Sequence, residues 1–169
     1  HQAAAIAALL FIPVGGAWAV ISRAGLRPQD FSPAIVLLTA VHFHYAGFAL
    51  PLIAAATLHA RATISSLDRL MLLCILGGVP AVGLGISLSP HLEVVAAIVL
   101  SIGCLILTVR QIQAAWKTHN PTHLGLALIS SLSLASAMVL AAIYAVSEFT
   151  GQRWLDVPTM IRTHGAFNA

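Results

Sequence analysis

Residues Leu92 to Trp116 read LEVVAAIVLSIGCLILTVRQIQAAW, apolar without interruption from Val94 to Val109 save for small residues, and followed by Lys117. About 20 apolar residues suffice to cross a bilayer as a helix. Tryptophan and lysine at the end of such a run mark a membrane–water interface. Similar runs recur along the whole chain. Of its 169 residues, 59% are hydrophobic and 8% charged, against about 25% charged in an ordinary soluble domain. The polar faces that would let these helices surround a water-soluble core are missing. The sequence reads as an all-α polytopic membrane helical bundle.

Working outward, the preceding run begins after Asp68–Arg69 and reaches about residue 88. Its Gly77, Gly78, Pro80, Gly83 and Gly85 imply a bend or a very close neighbour. Upstream, Ser32–Pro33 opens a helix that runs to about residue 59, proline being tolerated in a first turn. Pro51 lies inside it and is expected to free the Gly47 carbonyl and bend the helix just behind it. A first span covers about residues 2–21, and the loop RAGLRPQDFSP (Arg23–Pro33) connects it to the second. Downstream, a fifth span covers about residues 122–147 and carries SSLSLASA (Ser130–Ala137), a small-residue face suited to tight packing. Asp156 before Pro158 is a helix start, and MIRTHGAFNA (Met160–Ala169) begins a sixth helix left incomplete. The expectation is about six transmembrane helices in one domain over residues 1–169.

The formal net charge is +3. Eight basic residues scattered over span ends make no nucleic-acid patch; they read as membrane-flanking anchors. Arg23, Arg27, Arg153 and Arg162 fall on one side, and Arg61, Arg69, Arg110 and Lys117 on the other. Cys74 and Cys104 lie mid-run and read as small core residues. His59, His91, His119 and His123 lie at span ends and read as interfacial. The expected partners are membrane lipids and a lipophilic small molecule, and the expected location is the bacterial inner membrane. No feature of the sequence sets an oligomeric state.

Ionisable groups inside spans are functional candidates, because each costs about 2.5 kcal/mol or more at the bilayer centre. Three places qualify: His42, His44 and Tyr45 within VHFHYAGF (Val41–Phe48); Glu148; and Arg162, His164 and Asn168. On an α-helix His42 and His44 are about 200° apart, so they serve different faces. His42 shares its face with Tyr45, Ala46 and Ala49. His164 and Asn168 are one turn apart on a common face. Each has a structural alternative: a histidine bonding a carbonyl freed by Pro51, a packed tyrosine, Glu148 paired with Arg153, and Asn168 as interhelical glue.

HFHYAGFALPLIAA (His42–Ala55) together with MIRTHGAFNA (Met160–Ala169) resembles the YndJ-like integral membrane proteins. The resemblance implies a multi-helix bacterial membrane protein, supports His42, His44, His164 and Asn168 as one site, and supplies no reaction. HFHY is also similar to the stretch of haem–copper oxidase subunits in which two histidines on opposite helix faces bind two haems, a likeness confined to those four residues.

The leading expectation is a membrane-embedded acid–base enzyme, a cyclase, isomerase or hydratase, acting on a lipophilic substrate. His42, His164 and Glu148 would exchange protons, while Tyr45, His44, Asn168 and Arg162 hold the substrate. On this reading His42 and His164 approach each other. One alternative is a haem-, chlorin- or metal-binding subunit in which His42 or His44 pairs with His164 across the cofactor. Another is a transporter or structural membrane subunit.

Overall fold

The computed structural model describes every residue except 60, 153 and 169. Among the described residues there is no strand. Five helices among the described residues are long and apolar enough to span a membrane: α1 (Gln2–Arg23), α2 (Pro33–His59), α3 (Ser66–Leu88), α4 (Pro90–Trp116) and α5 (Pro121–Thr150). A sixth, α6, occupies residues 157–168. The starts follow from local chemistry. Ser32 accepts from the Ile35 N–H at α2, Asn120 from Thr122 and His123 at α5, and Asp156 from Thr159 at α6. Each satisfies donors that the first helical turn leaves orphaned. The hydrogen bond from Thr159 also holds the Asp156 carboxyl below the usual carboxylate range.

Helix α3 starts earlier than its apolar run implies. Ser65 and Asp68 form a capping box, with the Ser65 hydroxyl oxygen accepting from the Asp68 N–H and the Asp68 carboxylate accepting from the Ser65 N–H. This reciprocal bonding begins the helix at Ser66, ahead of the uninterrupted apolar run that follows Arg69.

The contact pattern divides the chain into two compact units, His1–Ala56 and Thr57–Ala169. In the first, α1 and α2 run antiparallel. Phe11 and Phe43 meet with ring centroids 5.8 Å apart, and the small Gly15 and Gly47 let the two backbones close on His44 and Phe11.

In the second unit α3, α4 and α5 form an antiparallel series. Gly78 abuts Leu100 and Gly103 abuts Cys74 and Ile75. Ser101 donates to the Met138 carbonyl at 3.3 Å, and Ser131 to the Thr108 carbonyl at 3.3 Å. The interior includes many small side chains, among them the free, buried Cys74 and Cys104. Large apolar residues point outward: Leu73 is 72% exposed and Ile129 is 69%. That inversion suits a lipid solvent, where close backbone packing rather than apolar burial holds helices together.

A tighter approach is at Gly85, where a Cβ would stand 2.4 Å from the Glu93 Cα. Gly85→Ala is therefore expected to cost about 1–3 kcal/mol or more, since backbone must move. Gly77, with nothing within 4 Å of its Cβ position, serves as the control, and Gly77→Ala should be neutral or slightly stabilising. Thermal unfolding of both variants in detergent checks the pair.

Candidate functional site

Both histidine-bearing stretches leave the α-helical path. Phe43–Ala49 and Ile161–Gly165 are π-helical. A π turn adds a residue to the helical circuit and is frequent where a helix must present groups for function. In α2 the cause is local. The Leu50 N–H bonds back five residues to the Tyr45 carbonyl, and the next residue, Pro51, has no N–H with which to continue an α ladder. The disturbance expected behind Pro51 thus takes the form of a widened turn carrying His44 and Tyr45, with His42 at its foot.

Within the first unit the two neighbouring histidines differ. His44 Nδ1 lies 2.7 Å from the Ala40 carbonyl oxygen, so the nitrogen donates there, and its ring fills the space left by Gly15. That is a packed imidazole anchored through Nδ1. His42 is partly buried and meets Phe43 edge-on, with ring centroids 5.4 Å apart. Tyr45 is 50% exposed on the outer surface.

In the second unit α6 folds back along α5, and His164 is fixed from both sides. Its Nδ1 lies 2.8 Å from the Ala137 carbonyl oxygen and therefore donates to it. Asn168 Nδ2 donates to the His164 carbonyl at 2.9 Å and lies 3.2 Å from His164 Nε2. The carbonyl contact fixes the amide, because only the NH₂ end can donate there. Nε2 must then be the acceptor, so the ring is neutral with its proton on Nδ1. Arg162 is exposed on α6.

Glu148 does not join this pair. It lies eleven residues beyond Ala137 on α5, about 16 Å further along the axis. Its neighbours are Glu93 of α4 and Tyr144, both within electrostatic range. The Arg153 partner expected for it lies outside the described residues. Among the described residues no three His, Cys, Asp or Glu side chains gather as a metal centre.

One polar cluster escaped the sequence reading. Asp68 is fully buried, with Arg110 Nε 2.8 Å and Arg61 Nε 3.4 Å from its carboxylate oxygens. Arg110 also donates to the Ser65 hydroxyl at 3.0 Å and to Gln113 Oε1 at 2.9 Å. The legible signals were the Ser65–Asp68 capping spacing and an arginine nearly two turns inside the end of α4. Nothing in the sequence ties residue 61 or 68 to residue 110.

A family profile described as YndJ-like protein matches residues 1–169, the whole chain. The chain belongs to the YndJ-like family. It is 31% identical over 165 residues to a Bacillus subtilis (strain 168) protein named "Uncharacterized membrane protein YndJ", covering 95% of this chain and 29% of that relative. The chain thus spans less than a third of the length of the curated YndJ protein it matches. No solved structure matches it. With its five bilayer-length helices, this YndJ-like chain is an integral membrane protein. The stretches that carried the family resemblance, HFHYAGFALPLIAA and MIRTHGAFNA, are the ones that contain the two π turns.

Proposed function

We propose that this chain supplies an intramembrane acid–base centre, with His164 as the proton-transferring group on a lipophilic substrate. The observation that carries this reading is the two-sided fixation of His164. An imidazole whose Nδ1–H is anchored on the Ala137 carbonyl at 2.8 Å presents Nε2 as a base of fixed orientation. Asn168 covers that nitrogen with an amide N–H 3.2 Å away. Rotation of the amide away from the ring would uncover Nε2 for the substrate.

In such a cycle Nε2 removes a proton from one carbon of the substrate and returns one to another, the net change of an isomerase or cyclase. His42, beside the π turn of the first unit, is read in similar terms, as an imidazole held near a widened helical turn. His44 is left with a packing role.

The test works on whatever lipophile the protein carries. Lipophiles that co-purify with the protein are incubated with it in D₂O and weighed by mass spectrometry. Gain of deuterium at carbon, absent without protein, supports the acid–base reading. A lipophile unchanged in mass, or a Soret band in the visible spectrum of the purified protein, would overturn it, the latter in favour of a haem-binding subunit.

A further inference from the structure

Beside the buried Asp68 lies a cleft of about 430 Å³ lined by Arg61, Ile112, Gln113, Trp116 and Lys117. Its lining residues include two cations, Arg61 and Lys117, and no carboxylate. Asp68 neutralises one of the two guanidiniums it touches, so the group as a whole, with Lys117, stays positive. Arg61 approaches Asp68 through Nε at 3.4 Å, with its side chain 21% exposed; among the described residues its Nη groups bond nothing. Gln113 gives its oxygen to Arg110, which leaves its amide N–H groups for the cleft. The end of a helix disfavours anions by about half a charge, less than the two full charges present.

The setting is a membrane interface. Trp116 and Lys117 close a span of 27 residues, and Trp116 is 66% exposed. Ile112 and Trp116 form an apolar wall below the cations. From this arrangement we propose that the cleft binds a phosphate-bearing anion, held as the headgroup of an anionic phospholipid. Guanidinium and ammonium take the phosphate oxygens, and the apolar wall takes the glycerol and the first acyl carbons. The proposal is independent of His164.

The experiment uses the delipidated protein in a nonionic detergent, titrated with dioleoyl-phosphatidylglycerol, with dioleoyl-phosphatidylcholine or with inorganic phosphate, and read by native mass spectrometry and thermal unfolding. One phosphatidylglycerol should bind per chain in preference to phosphatidylcholine. Lys117→Gln should weaken it about fivefold, as expected for one basic side chain at a lipid surface. Lys117 holds no partner among the described residues, so this variant should unfold at the same temperature as the wild type. Arg23→Gln, in the other unit, should leave binding unchanged. Protection by phosphatidylglycerol but not by inorganic phosphate assigns the anion to a lipid. Protection by phosphate that Lys117→Gln abolishes keeps the anion site and assigns it to a soluble phosphate compound. Equal binding of the two lipids, or equal weakening by Lys117→Gln and Arg23→Gln, would overturn the proposal.

Discussion

Replacing His164 by alanine is expected to lower deuterium exchange into the bound lipophile by about 10²- to 10⁴-fold, the usual contribution of a positioned acid or base. More lipophile should not restore it, because the loss is in proton transfer and not in binding. Alanine also removes the bond to Ala137, so a second variant separates chemistry from folding. His164→Gln keeps an N–H able to donate to that carbonyl and loses only the basic nitrogen. It should retain the wild-type unfolding temperature and lose exchange to the same extent. Asn168→Ala should have a smaller effect, since it removes the group that covers Nε2 and not the one that carries the proton. Full activity in His164→Gln would reject the assignment.

Asp68→Ala should give the largest loss of stability from any single polar side chain. The carboxylate is fully buried and sits between two guanidiniums, with Arg110 at 2.8 Å. Removing one partner of a buried ion pair costs about 3–5 kcal/mol, mostly because the other charge is left uncompensated. Here the arginine side chains keep 11% and 21% of their surface exposed, so water relieves part of the penalty and the low end, about 3 kcal/mol, is expected. The capping box at Ser65 is lost with the carboxylate. Asp68→Asn should fall less far, since its side-chain oxygen still accepts from the Ser65 N–H. Chemical unfolding in mixed micelles ranks the two, and an Asp68→Ala protein as stable as the wild type would show that the cluster holds nothing together.

The spans were legible because hydropathy is a one-dimensional property: long apolar runs give the length, and the Ser, Asp and Pro residues before α2 and α6 give those two starts. Ser32 and Asp156 act as caps through their own side chains, as their places before Pro33 and Pro158 suggest. The pairing of His164 with Asn168 was legible for the same reason, being a matter of helical repeat. The π turns were not. Pro51 signals that a ladder must break, but whether the backbone bends, opens or gains a residue depends on what packs beside it. In α2 that neighbour is α1, whose Gly15 admits the His44 ring. The Asp68 cluster was hidden by sequence distance, because residues 61, 68 and 110 meet only once α3 and α4 are packed together. Where Glu148 falls relative to α6 was hidden for a related reason. Its place at the end of α5 is clear in sequence, but the level to which α6 returns is set by the His164 bond to Ala137.

The most direct measurement is the protonation pattern of His164 itself. Nitrogen-15 spectra of histidine-labelled protein in bilayers, with the His164 signal identified by its loss in His164→Gln, report each ring nitrogen separately. The expected result at neutral pH is an uncharged ring with its proton on Nδ1 and an unprotonated Nε2, whose signal moves when Asn168 is replaced by alanine. A ring protonated on both nitrogens, or carrying its proton on Nε2, would contradict the claim that His164 is poised as a base inside the membrane.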